Sequence, residues 1–140
     1  MTTEEKNKRA MRKFVEEFQS GGNASVAEEL LAPDFVDHSP FPGVSPDRDG
    51  VKRLFAALHV AFPDLRAVVH DQLAEGERVA TRKTFRGTHR GEFLGISPTG
   101  RVVSFDVIDF VRMDKGRIAE HWNVVDLMGL LQQIGVAPRR

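Results

Sequence analysis

The period of the hydrophobic residues changes at Pro63, and this change constrains the fold more than any other feature of the sequence. Before Pro63, apolar side chains recur every three to four residues, the spacing of one face of an α-helix. After Pro63, they alternate with polar side chains, the spacing of a β-strand. The sequence therefore predicts a helical first half and a strand-rich second half.

Glycine and proline mark the ends of three predicted helices. The first helix ends at Gly21-Gly22, the second at Pro33 and the third at Pro63, because neither residue type readily continues a helix. Between the second and third helices, the segment Asp34–Asp47 contains three of the seven prolines. We expect that segment to be an ordered loop.

Four strands are predicted after Pro63, joined by turns at Glu75-Gly76 and at residues 114–116 and by a glycine-rich connection, His89–Gly100. Consecutive strands with short turns form an antiparallel sheet, which the amphipathic helices can cover. We expect one domain over residues 1–140 with an α+β fold. Its N-terminal helices pack on a curved, mainly antiparallel sheet, which gives a cone-shaped α+β barrel with a cavity at the open end. The predicted strands are Arg66–Leu73, Arg78–Gly87, Arg101–Met113 and Arg117–Asp126.

Charge and composition exclude several classes of function. The chain has 20 basic and 20 acidic side chains and no net charge, so it has no long-range field to attract nucleic acid. No apolar run approaches the roughly 18 residues of a membrane span, and the charged N-terminal residues lack an apolar signal region. We therefore expect a cytoplasmic protein with no nucleic-acid or membrane partner. The absence of cysteine and tyrosine excludes thiol nucleophiles, disulfides and phenolic acids or bases.

The sequence also lacks the local patterns of metal and nucleotide sites. No H-x-H, H-x₃-H or HExxH spacing occurs, and the glycine-rich connection has no phosphate-loop lysine. None of the serines lies in a nucleophile-elbow pattern. We expect no metal and no cofactor.

The last predicted hairpin places three polar residues on an apolar face. A three-residue turn at 114–116, with Gly116 in a left-handed bulge, puts Asp109 directly opposite His121 and Asn123 on the same face. Polar groups in an apolar face cost on the order of 1–3 kcal/mol each unless they are paired or hydrated. This pattern predicts the polar end of a ligand pocket. An Asp–His pair that only satisfies itself is the alternative.

Asp109 and His121 are the candidate catalytic residues. A carboxylate beside an imidazole stabilises its cation and fixes its tautomer, so the histidine can transfer a proton near neutral pH. Asn123, His38 and Arg82 are candidate substrate-binding residues in the same cavity. For His38 the alternative is a surface position, and for Arg82 it is an ion pair with a carboxylate on a neighbouring strand, Asp106 or Glu120.

The opposite face of the same hairpin predicts a homodimer. No helix remains to cover this convex side of the sheet, and an exposed patch with tryptophan and phenylalanine is typical of a protein interface. Asp106, Glu120 and Arg112 surround it. The apolar residues of the patch are Ile108, Phe110, Trp122 and Val124.

Four segments resemble the SnoaL-like polyketide cyclases of the nuclear transport factor 2-like superfamily: ELLAPDFVDHSPFPG, AFPDL, GTHRGEFLGISPTGR and IDFVRMDKGRIAEHWNVVD. The resemblance extends from about residue 8 to residue 135. It implies a cystatin-like cone with a deep hydrophobic cavity, a homodimer formed through the outer sheet face, and ring closure by a cofactor-free intramolecular aldol condensation.

The resemblance also assigns roles to residues. In this family an aspartate two residues after the strand histidine is the acid/base, and these two positions are Asn123 and His121 here. The assisting polar residue falls at or near Asp109. Since asparagine cannot accept a proton, the family mechanism cannot proceed through residue 123.

We therefore expect a cofactor-independent enzyme, polyketide or ester cyclase-like, that performs acid/base chemistry next to a carbonyl of an apolar small molecule. One alternative is a non-catalytic small-molecule-binding domain. Another is an epoxide hydrolase-like enzyme of the same fold, in which Arg82 and Asp109 supply two of three required residues.

Overall fold

The computed structural model describes residues 1–136, so the last four residues of the domain predicted over 1–140 lie outside the described part. None of the described helices is long and apolar enough to cross a membrane. The helices are α1 (Thr3–Lys13), which continues as a π-helical segment (Phe14–Ser20), α2 (Ala24–Leu30), α3 (Arg48–Ala61) and α4 (Leu127–Gln133). The strands are β1 (Leu31–Asp37), β2 (Arg66–Glu75), β3 (Arg78–Thr88), β4 (Val102–Asp114) and β5 (Arg117–Val125).

Side-chain caps fix the starts of the first three helices. The Thr2 hydroxyl accepts a hydrogen bond at the start of α1, and the side-chain oxygens of Asn23 and Asp47 do the same for α2 and α3. These bonds satisfy backbone N–H groups that have no partner within the helix. The expected change from helices to strands after Pro63 is confirmed.

The five strands form one mixed sheet in the order β1-β5-β4-β3-β2. Strands β2 to β5 pair antiparallel, as predicted, and β1 pairs parallel to β5. The expectation of a loop from Asp34 onward was wrong for residues 34–37, which belong to β1. Pro33 is tolerated there because β1 is an edge strand, where a missing N–H need not break a ladder. Its partner strand β5 begins 80 residues after β1 ends, so no local pattern indicates the pairing.

The register of the β4–β5 hairpin differs from the prediction by two residues. Lys115 and Gly116 both have positive φ, 51° and 80°, so the loop has two residues rather than three. A second shift follows at a bulge between Arg112 and Met113. Asp109 is therefore paired with Asn123 in the ladder, not with His121. Because the two shifts together equal one full pleat, the side chains keep their predicted faces.

The glycine-rich connection is hydrogen-bonded to the end of α3. The backbone N–H groups of Arg90 and Gly91 both donate to the carbonyl of Ala61 at 3.0 Å. A Cβ at Gly91 would lie 2.2 Å from the Val60 carbonyl oxygen, so only glycine fits this approach. The connection thereby holds Phe93 against the cavity described below.

The sheet curves around the helices, and its two faces differ. The concave face packs on α1, the π-helical segment and α3 to form the apolar core. The convex face leaves Ile108 50% and Val124 76% exposed, and no described helix covers it. The α+β architecture predicted from the sequence is confirmed.

Candidate functional site

The concave side of the sheet encloses a cavity of about 280 Å³. Aromatic and aliphatic side chains from the helices and from β1, β3 and β4 form most of its wall. The polar side chains of the wall come from the π-helical segment, from every strand except β2 and from the segment that follows β1. A mostly apolar pocket with a few convergent polar groups is typical of a small-molecule site. The apolar wall includes Phe14, Phe35, Leu54, Phe55, Phe85 and Phe105.

His121 lies between two carboxylates in this cavity. Its Nε2 is 2.7 Å from Asp109 Oδ1, and its Nδ1 is 3.0 Å from Asp37 Oδ1. Asp109 reaches it diagonally across β4 and β5, while Asp37 is its direct neighbour on β1. Since a carboxylate can only accept hydrogen bonds, this network places a proton on both ring nitrogens.

Lys83 is a site residue that the sequence analysis missed. It is fully buried, and its ammonium forms an ion pair with Asp109 Oδ2 and donates to Gln19 Oε1 at 2.6 Å. The signal was present in the sequence, because Lys83 alternates with Val79 and Phe85 on the inward face of β3. A lysine at an inward position requires a buried counter-ion, and Asp109 supplies it.

The π-helical segment explains how Gln19 reaches the site. The wider helical turn lets Phe18 and Gln19, adjacent in sequence, both face the interior. The Gln19 side chain binds Lys83, while its backbone carbonyl lies 2.9 Å from His59 Nε2. Phe18 fits the helical spacing of the apolar residues before Pro63, whereas nothing in that spacing indicates Gln19.

The charges and hydrogen bonds of the central residues shift one another's pKa values. Burial alone would raise the pKa of Asp109, but the Lys83 charge and the His121 hydrogen bond lower it to about 2. Burial alone would lower the pKa of His121, but hydrogen bonds to Asp109 and Asp37 raise it to about 9. Burial lowers the pKa of Lys83, against the opposing effect of Asp109. We call Lys83, Asp109, His121 and Asp37 the inner cluster; cations and carboxylates alternate along it.

Asn123 lies beside the inner cluster and lines the cavity. Its backbone N–H donates to the Ser39 hydroxyl at 3.2 Å, and the Ser39 N–H donates to Asp37 Oδ1 at 3.0 Å. Within residues 1–136 its side-chain amide has no hydrogen-bond partner. The amide is therefore available to a ligand.

The structure does not bring His38 into the cavity. Its ring stacks on Trp122 on the convex side, with centroids 4.6 Å apart, and its Nε2 is 3.0 Å from Glu120 Oε1. Side chains alternate along β1, so the inward position of Asp37 turns His38 outward. Arg112 forms an ion pair with the same glutamate. We call His38, Trp122, Glu120 and Arg112 the outer cluster.

Arg82 also lies outside the cavity. It is next to Lys83 on β3 and therefore faces the convex side, where its guanidinium forms two hydrogen bonds to Asp71 at 3.1 and 3.2 Å. The expected ion pair is thus present, but with Asp71 on β2. Arg82 and Asp109 occupy opposite faces of the sheet, so the arrangement required for an epoxide hydrolase-like site is not formed.

The sequence comparisons point to one family. A family model described as SnoaL-like polyketide cyclase matches residues 9–134. The chain is 29% identical over 133 residues to the aklanonic acid methyl ester cyclase DnrD of Streptomyces peucetius, covering 89% of this chain and 88% of that protein.

Solved structures similar to this chain include two Streptomyces proteins with different proposed activities. IdmH of Streptomyces antibioticus, a proposed polyketide cyclase, is 35% identical with a TM-score of 0.81, over 93% of this chain and 99% of that chain. AclR of Streptomyces galilaeus, a proposed hydroxylase, is 32% identical with a TM-score of 0.87, over 98% and 89% of the two chains.

Proposed function

The chain belongs to the SnoaL-like polyketide cyclase family, and from this premise we propose that it closes a carbon ring in a polyketide ester by intramolecular aldol addition. DnrD, to which it is similar along most of its length, is a cyclase of aklanonic acid methyl ester. We take that ester as the model substrate. The reaction rearranges bonds within one molecule, so it requires acid/base chemistry and no redox step.

The observation that carries this proposal is the position of His121 between the carboxylates of Asp109 and Asp37 in an apolar cavity. Ring closure develops negative charge first on an enolate oxygen and then on the oxygen of the attacked carbonyl. An imidazolium held in place before the reaction stabilises such an oxyanion strongly where water is scarce. With a pKa of about 9, His121 carries the proton at neutral pH and can donate it to the product oxygen.

Asp109 acts with His121 as one acid/base unit. Its Oδ1 orients the imidazole, and its charge keeps the proton on the ring. Lys83 keeps Asp109 ionised, since an unpaired carboxylate at this depth would take up a proton. In this unit His121 transfers the proton and Asp109 holds the donor in position.

Asn123 is proposed to bind the substrate. A side-chain amide both donates and accepts hydrogen bonds, so it can hold a carbonyl or hydroxyl group of a polyketide. Its neighbour Ser39 fixes the backbone of β5 against the segment that follows β1. Asn123 therefore orients the reacting carbonyl next to His121.

The charge of the inner cluster favours a neutral substrate. Its two cations are each paired with a carboxylate inside the cavity, so no cation among the cavity residues of the described range 1–136 is free to bind a substrate acid. Bringing an unpaired carboxylate into an apolar cavity is costly. We therefore propose that the ester, rather than the free acid, is bound.

Incubation with aklanonic acid methyl ester tests the proposal. Chromatography with mass detection should show a new product of unchanged mass, because cyclisation only isomerises the substrate. A product with one additional oxygen would instead identify a hydroxylase, the activity proposed for AclR. Saturable binding with no product would support the non-catalytic alternative.

We also propose that the protein is a homodimer formed through the convex face. Ile108 and Val124 are exposed there beside the T-shaped pair of Phe110 and Trp122, whose ring centroids are 5.9 Å apart. In a dimer with two-fold symmetry, the same patch of both copies forms the interface. The net charge of zero adds little long-range repulsion between two copies.

A further inference from the structure

The proposed ring closure needs a base that removes a proton from the carbon next to a carbonyl. The family position for this group is occupied by Asn123, which cannot accept a proton. Among residues 1–136, the only carboxylates that line the cavity are Asp37 and Asp109. Asp37 and Asp109 are therefore the two candidates for the base.

Asp109 is unsuited to this role. Its Oδ1 is bound to His121 and its Oδ2 to Lys83, so neither oxygen is free to approach a substrate. It is 1% exposed, and a pKa of about 2 makes it a weak base. An efficient general base has a pKa near the working pH and reaches the proton directly.

Asp37 meets the geometric requirement. Its Oδ1 accepts hydrogen bonds from the Ser39 N–H and His121 Nδ1, both at 3.0 Å, so the carboxylate is held in one orientation. Its Oδ2 has no hydrogen-bond partner in the described part of the chain. This oxygen is also not fully buried. The free oxygen is thus accessible in a residue that lines the cavity.

We infer that Asp37 is the catalytic base of this enzyme, replacing the carboxylate that residue 123 does not provide. This assignment rests on the proposed function. Asp37 Oδ2 takes the proton from the carbon next to the carbonyl, and the electron pair of the broken C–H bond forms the enolate. The enolate carbon then bonds to the second carbonyl carbon, whose oxygen takes the Nδ1 proton of His121, because the now neutral Asp37 carboxyl group holds that N–H less strongly than the carboxylate did.

The geometry also returns the proton. After one turnover Asp37 has gained a proton and His121 has lost one. Rotation of the neutral carboxyl group turns its new O–H toward Nδ1, which lies 3.0 Å from Oδ1, and transfer of this proton to Nδ1 restores both groups. No external acid, base or cofactor is consumed, which agrees with a net isomerisation.

Solvent exchange isolates the step assigned to Asp37. In deuterium oxide, aklanonic acid methyl ester bound to the enzyme should gain deuterium next to the carbonyl. Asp37→Asn should reduce this exchange by about 100- to 10,000-fold, the usual contribution of a general base. The amide oxygen of the variant still accepts both hydrogen bonds, so the fold is expected to persist. Measuring at about pH 6, below the ordinary pKa of histidine, keeps His121 protonated in the variant.

Two further variants complete the test. Asp34→Asn makes the same substitution at an exposed position of the same strand and should exchange at the wild-type rate. Asp37→Glu retains a carboxylate and should retain measurable exchange, and it replaces Asp37→Asn if that variant does not fold. Wild-type exchange in Asp37→Asn, or no exchange in folded Asp37→Glu, would overturn the assignment alone. A wild-type protein that neither exchanges nor cyclises the ester would overturn the proposed function and this assignment with it.

Discussion

The two faces of the sheet carry clusters of nearly the same chemical composition. The inner cluster combines Lys83, two aspartates and His121, and the outer cluster combines Arg112, Glu120 and His38 with Trp122. Burial is the main difference, because Lys83 and Asp109 are 1% exposed whereas the outer charged groups are in contact with water. The comparison indicates that ion pairs of similar chemistry interact more strongly where water is excluded.

The largest expected difference between the clusters is catalytic. His121→Gln should reduce turnover of the model ester by about 1,000-fold or more, since it removes the proton donor. His38→Gln, the matched change in the outer cluster, should leave turnover at the wild-type value. Steady-state kinetics with both variants measures the difference. Equal losses would remove the distinction between the two histidines.

Removal of the cation should separate the clusters by stability. Lys83→Met leaves the Asp109 charge buried without its main counter-ion and should lower the free energy of unfolding by about 3–5 kcal/mol. Arg112→Met should have a much smaller effect, because water screens Glu120. Urea unfolding of both variants tests this. A fully stable Lys83→Met protein would mean that Asp109 is satisfied without the lysine.

The pH dependence of stability should be determined largely by the inner cluster. The pKa of His121 is raised from 6.5 to about 9. Its contribution to the free energy of unfolding, about 3 kcal/mol, is therefore complete below pH 6.5 and is lost as the pH rises through 9. The pKa of Asp109 is lowered from 3.8 to about 2, so its contribution, about 2 kcal/mol, is lost as the pH falls through that range. Urea titrations across pH should show the alkaline loss in wild type and a flatter profile in His121→Gln. An identical slope in the variant would assign the loss to another group.

The outer face should contribute to assembly rather than catalysis. Trp122→Ala should weaken the dimer by about 2 kcal/mol, or roughly 30-fold in Kd, as expected for a buried interface tryptophan. Val60→Ala, an exposed position on α3, is the control. Analytical ultracentrifugation gives both constants. A monomeric wild-type protein at tens of micromolar would contradict the convex-face dimer.

The smallest expected effect is a shift of the pH–activity profile in Asn123→Asp. A new carboxylate beside the inner cluster should raise the pKa of one of its neighbouring carboxylates by about one unit. The acid limb of kcat/KM should move to higher pH by that amount. Asn23→Asp, at the exposed start of α2, should leave the profile unchanged. An unchanged profile in Asn123→Asp would place residue 123 away from the reacting groups.

The side chains of the β4–β5 hairpin lie on their predicted faces although the predicted register was wrong. The sequence analysis assumed a three-residue turn and no bulge, and each error moved the pairing by one residue. Since side chains alternate with a period of two, the combined error left Asp109, His121 and Asn123 on the inner face. Their contacts changed, however, and His121 reaches Asp109 along a diagonal rather than directly across the ladder.

The amino-acid sequence by itself determined the strands after Pro63 and which of their residues point inward. It could do so because hydrophobic periodicity is a local property of the sequence. Lys83 could have been found in this way, since it alternates with Val79 and Phe85. Only the tertiary structure decided that Asp37 and Gln19 join the site. The Asp37–His121 contact spans 84 residues and the Gln19–Lys83 contact spans 64, and each depends on a parallel strand or a widened helical turn that no local pattern specifies. A dry cavity then makes these distant partners necessary, because buried charges are stable only when each has a counter-ion.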